Sequence, residues 1–168
     1  MIFYLHYILL TSGLSGVGVL LGVYLKAYTD ANQGEIGVLL MTFPFVSIIV
    51  KPLFCSMADR HQAHKLYLVL ALMVLVLGFA PFVVIPFFPA FYTQFPRISW
   101  YILVISCHIG LGGLGVAWSL GDSLAVNMAQ KTGTPFSRYR LMGTVSWGVV
   151  STFDRLAFEI QVSPLNSS

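Results

Sequence analysis

A chain of 168 residues that is 57% apolar and only 9% charged, with a mean hydropathy of +0.84, lacks the hydrophilic coat of a soluble globule, which carries roughly 25% charged residues. Its net charge of +3 comes from basic residues scattered among the connections rather than gathered on one face, which argues against nucleic acid as a partner. The two cysteines, Cys55 and Cys107, lie in apolar runs and form no CxxC pair, so they read as small buried hydrophobes rather than zinc ligands or a redox pair.

The first apolar run, residues 2–25, exceeds the h-region of a signal peptide, and no basic residue precedes it. It reads as a membrane span. Gly18 and Gly22 form a GxxxG pair, with Gly13 and Gly16 nearby, a pattern that lets helix backbones approach closely in lipid. A polar connection, 26–35, holds Asp30, Asn32 and Gly34. The second span, 36–57, carries Pro44 and Pro52, which are expected to kink or end it. Lys51 either snorkels to the interface or faces a cavity. The charged stretch 59–65 precedes a third span, 66–88, whose far end is marked by Pro81, Pro86 and Pro89. The connection 90–98 holds one charge, Arg97, and the fourth span covers 99–126.

After Lys131, Gly133 and Pro135 come Arg138, Arg140 and a fifth apolar run, 141–153. A helix of that length rises about 20 Å, while the hydrocarbon core needs roughly 20 residues. The expected fold is therefore all-α: a polytopic membrane bundle of four complete spans and a truncated fifth. Residues 1–153 would form a partial membrane domain and 154–168 a polar tail, in which Asn166 begins a glycosylation sequon usable only on the lumenal side. Arg60, Lys65, Lys131 and Arg138 fall in the even-numbered connections, against Lys26 and Arg97 in the others. The positive-inside rule then places the N-terminus in the cytoplasm, at the plasma membrane or an endomembrane.

Ionisable groups in a span are costly and are kept for function. The fourth span carries His108, Gly112, Gly115, Ser119 and Asp122 at alternating spacings of four and three, one face of a packed helix. That stripe is either a tight packing seam or the wall of a polar cavity. His108 reads as a hydrogen-bonded packing residue or as a proton relay, and Asp122 as an interfacial charge or a ligand group. The fifth run opens with Arg140, Thr144, Trp147 and Ser151. A rigid guanidinium fork and a flat indole beside an acid would suit a hydroxylated ligand; the same residues would also suit a salt-bridged hairpin. No nucleophile elbow, paired-carboxylate site, phosphate-cradling loop or metal-ligand spacing is present, so no enzyme, metal or cofactor is expected.

Residues 52–65 read Pro-Leu-Phe-Cys-Ser-Met-Ala-Asp-Arg-His-Gln-Ala-His-Lys. The stretch resembles the signature loop between helices two and three of the major facilitator superfamily, G-x-x-x-D-R-x-G-R-R. Asp59 and Arg60 match, Cys55 and Gln62 stand at the two glycine positions, and the trailing basic pair is reduced to His64 and Lys65. Residues 137–148 resemble the G-R-x-R-x-x-G-x-x-G-W run that opens helix five in the lactose permease-like branch, which includes the animal major facilitator superfamily domain-containing protein six proteins. Arg138, Arg140, Gly143 and Trp147 match; Ser137 and Ser146 replace glycines.

The resemblance implies a secondary transporter working by alternating access, proton-coupled, with a small polar solute such as a sugar or nucleoside. Asp122, Arg140 and Trp147 would contact the solute, and Asp59, Arg60 and Lys65 would gate. It also implies a second half, beyond this N-terminal piece, to close the cavity. The expected partners are the lipid bilayer, the solute, protons and that second half. The alternative is a membrane receptor or adaptor, or an inactive truncated isoform.

Overall fold

The computed structural model describes residues 2–162, with side-chain surroundings for all of these except 2, 3, 16, 18, 19 and 157–162. Gly16 and Gly18 of the first-span glycine pattern, and the Asn166 sequon, thus lie outside the described residues. The elements are α1 (Ile2–Tyr28), α2 (Gln33–Arg60), α3 (His64–Val84), a 3-10 turn (Ile85–Phe87), α4 (Pro89–Gln94), α5 (Pro96–Thr132) and α6 (Ser137–Val162). No strand occurs among the described residues. Two compact units share the chain, Val23–Leu124 on the one hand and Met1–Gly22 with Ala125–Ser168 on the other.

The outer surface is the reverse of a soluble protein's, and four hydroxyl residues are buried among the apolar interior of the described residues. Val76 and Leu77 are 68% and 69% exposed, whereas Ser15 and Ser99 are fully buried. Large aliphatic groups turned outward and small polar groups turned inward are what lipid selects, because tails are as apolar as leucine and helices then associate through close packing and hydrogen bonds. Among the described residues, α2, α3 with its following turn, and α5 are long and apolar enough to cross a membrane, and α1 is a fourth if its two bent arms count as one span. The chain is an integral membrane protein.

Local sequence sets the helix ends. Asn32 opens α2 with a complete capping box: its side chain accepts from the Glu35 amide at 2.8 Å, and the Glu35 carboxylate accepts from the Asn32 amide at 2.9 Å. Pro44 and Pro52 do not end α2. Neighbouring helices and local adjustments can satisfy the carbonyls that proline frees inside a membrane, so the helix persists. Part of the expected connection 90–98 is α4, entered through Pro89, whose fixed φ suits a first helical turn. The helix α6 runs on through Asp154 and Arg155 to Val162. The apolar run 141–153 therefore sets how far the helix is greasy and not how long it is.

In the unit 23–124, α2, α3 and α5 meet around Ala58, Ala71, Val116, Ala117 and Leu120, all buried. In the other unit, Tyr7 of α1, Ala125 and Ala129 of α5, and Tyr139 of α6 form a second buried cluster. There the Thr11 hydroxyl meets that of Ser146, and a Cβ at Gly143 would stand 3.1 Å from Thr11 Cγ2.

Candidate functional site

Three residues of the predicted stripe on α5, His108, Gly112 and Gly115, form a seam with α2. His108 Nε2 lies 2.8 Å from the Thr42 hydroxyl. One step along, a Cβ at Gly112 would meet Val46 Cγ1 at 3.6 Å. At the next, a Cβ at Gly115 would meet Lys51 Cε at 2.8 Å and Ser47 Oγ at 2.9 Å. Lys51 Cε thus lies against Gly115, and the side chain is half-buried, between the interfacial and cavity-facing placements the sequence allowed. Ser119 turns its hydroxyl back to the Gly115 carbonyl at 3.1 Å. The seam therefore carries an imidazole, hydroxyls and an ammonium-bearing chain through a bundle whose outer surface is aliphatic.

His108 borders two clefts. The larger, about 550 Å³, is lined by Glu35, Thr42, Trp100, Tyr101 and aliphatic neighbours. The smaller, about 280 Å³, is walled by Val46, Val50, Phe54, Val74 and Val116. Glu35, in the lining of the larger cleft, also makes an ion pair. Arg97 of α5 donates to Glu35 of α2 at 2.8 Å, and the Asn32 cap already orients that carboxylate.

The connection between α2 and α3 is tied as tightly as a helix end can be. The Ala63 amide donates to Ala58 O at 3.1 Å and the Gln62 amide to Asp59 O at 3.2 Å, the paired bonds of a Schellman motif. Gln62 takes φ of +51°, a conformation glycine adopts freely and other residues at a cost of about 1–2 kcal/mol. It is the position at which the signature loop has glycine. Its own side chain offsets part of that cost by donating to Asp59 O at 2.8 Å. Asp59 and His64 face each other at 3.6 Å, while Arg60 and Lys65 are exposed.

The predicted solute residues divide between the units. Asp122 is half-buried in the unit 23–124; Arg140 and Trp147 are exposed on α6 in the other. The Arg140 guanidinium stands 6.0 Å from the centre of the Phe136 ring. The face of α6 packed on α1 holds Tyr139, Gly143 and Ser146 instead, so the stripe Arg140–Thr144–Trp147 stays open.

Sequence reasoning missed Thr42 and the Glu35–Arg97 pair. A signal was present: Glu35, Leu39, Thr42 and Val46 repeat the spacing of the α5 stripe, and Glu35 and Arg97 open two spans on the same side. A second α5 stripe was also missed. Ser106, Gly110, Gly113 and Ala117 carry the same rhythm two positions earlier and face α3.

A family model described as the MFS_1 like family matches residues 1–164. No curated protein and no solved structure matches the chain.

Proposed function

The chain belongs to the MFS_1 like family, and on that premise we propose that it serves as the N-terminal part of a secondary active transporter for a small polar solute such as a sugar or nucleoside, working by alternating access. The observation that carries this reading is the polar α2–α5 seam inside a bundle coated with aliphatic side chains. Polar and ionisable groups so placed are costly in lipid and are retained along solute and ion pathways. Family membership points to a transporter rather than an enzyme.

In this proposal the chain sits in the lactose permease-like branch, similar to major facilitator superfamily domain-containing protein six. Its N-terminus is cytoplasmic and its spans cross several times. Asp122 and Arg140 bind solute hydroxyls, Trp147 stacks on the solute ring, and His108 relays protons. Asp59, Arg60 and Lys65 gate. The tight α2–α3 connection suits that last role, because a fixed loop transmits a helix movement that a slack one would absorb.

Uptake of labelled sugars and nucleosides into vesicles, by the chain alone and joined to its downstream helices, tests the proposal. Asp122→Asn and Arg140→Lys should each lower saturable uptake about tenfold or more, the worth of one lost hydrogen bond to a charged group. Uptake unchanged in both variants, with normal membrane insertion, would remove these residues from the site.

A further inference from the structure

The His108 ring is held at both nitrogens. Nδ1 lies 2.8 Å from the Val104 carbonyl oxygen on its own helix, and Nε2 lies 2.8 Å from the Thr42 hydroxyl on α2. The same hydroxyl lies 2.7 Å from the Leu39 carbonyl oxygen. A carbonyl only accepts, so Nδ1 carries a hydrogen, and the three contacts together call for three hydrogens. A neutral ring and one hydroxyl bring two. The Thr42 hydrogen then goes to Nε2 or to Leu39, and one contact is left without a proton. The imidazolium supplies the third: Nδ1–H donates to Val104, Nε2–H to Thr42, and Thr42 O–H to Leu39.

We propose that His108 and Thr42 form a proton-loading site whose occupancy sets the strength of the bond between α2 and α5. A proton delivered by water adds to Nε2, imidazole becomes imidazolium, and the Thr42 hydroxyl turns wholly to Leu39; release reverses each step. The site rests on the transporter reading for its purpose, which is to couple proton binding to helix movement. Glu35 and Tyr101 line the same, mostly apolar, cleft as His108. The other ionisable groups on the adjoining elements are Lys51, Cys55, Asp59 and Arg60 on α2, His64, Lys65 and Tyr67 on α3, and Arg97, Cys107, Asp122 and Lys131 on α5; Lys51 lies at Gly115 and Arg97 is paired with Glu35. From α3 only Ala71 and Val74 reach the cleft that His108 borders on that side. The Phe43 ring stands edge-on 5.9 Å away and confines the imidazole.

Nitrogen NMR of the full chain in lipid nanodiscs, with labelled histidine, reads both ring nitrogens against pH, and His108→Gln identifies the His108 signals. At high pH His108 should be the Nδ1–H tautomer, and on acidification both nitrogens should be protonated together. Thr42→Val, which removes the hydroxyl facing Nε2, should displace that transition. Thr42→Ser, which keeps the hydroxyl, should leave it in place. A neutral ring protonated at Nε2, a ring that takes up no proton, or a transition indifferent to Thr42→Val would overturn the proposal. The titration is read without solute or flux. A normal titration with no uptake therefore sinks the transport reading alone, and normal uptake with no titration sinks this site alone.

Discussion

The two faces of α5 use the same residue for opposite ends. Toward α3, Ser106, Gly110, Gly113 and Ala117 remove side chains so that backbones can touch. A Cβ at Gly78 would fall 2.4 Å from both Cα and N of Gly110, and one at Gly113 would fall 2.8 Å from the Ala71 oxygen. The Ser106 hydroxyl bonds the Gly78 carbonyl across that contact. Toward α2, Gly112 and Gly115 remove side chains so that other side chains fit: Val46, Ser47 and the stem of Lys51. The two stripes are offset by two residues, about 200° around the helix. One helix thus carries a rigid seam and an adjustable one, and the adjustable seam is the one with titratable groups.

This contrast can be broken by adding single methyl groups. The largest effect is expected at Gly78→Ala, where the new Cβ meets backbone that cannot yield; a loss of about 2–3 kcal/mol should appear as a clear drop in the thermal unfolding midpoint in detergent micelles. A midpoint equal to that of the unsubstituted chain would show that the α3 seam is looser than described. Thr42→Val comes next. It removes the one cross-helix hydrogen bond of the first rung and should cost about 1 kcal/mol in the same measurement. Gly115→Ala should cost less than about 1 kcal/mol, because the groups it meets are the far end of Lys51 and a serine hydroxyl, both able to turn aside. A cost as large as that of Gly78→Ala would mean that Lys51 is locked rather than adjustable. Gly112→Ala is the smallest. Its Cβ makes an ordinary contact at 3.6 Å, and the gain in helix propensity, at most about 1 kcal/mol, should leave stability unchanged or slightly raised.

Much of this was legible from spacing. The rhythm of His108, Gly112 and Gly115 announced a packed or cavity-lining face, and the structure supplies the helix that packs on it. Gln62 stands at a glycine position of the signature loop, and its φ of +51° came only with the structure. Of the proline signals, Pro81, Pro86 and Pro89 mark the far end of α3, whereas Pro44 and Pro52 lie within one continuous helix and do not end it. Their usual cost comes from a carbonyl left open to no partner, a cost that depends on neighbours a local reading does not include. The hydropathy of 141–153 likewise marked where lipid would be comfortable, while α6 is continued by backbone hydrogen bonds that charged residues do not interrupt.

The sequence by itself determined that this protein lives in a membrane, that it is helical, and which residues share a helix face, because hydrophobic content and a period of 3.6 are properties of neighbours along the chain. Only the tertiary structure decided that His108 looks at Thr42, 66 positions away, that Lys51 lies against Gly115, and that Arg97 closes on Glu35. Those pairings depend on how helices are rotated and shifted against one another, and close packing of many small groups settles that at once.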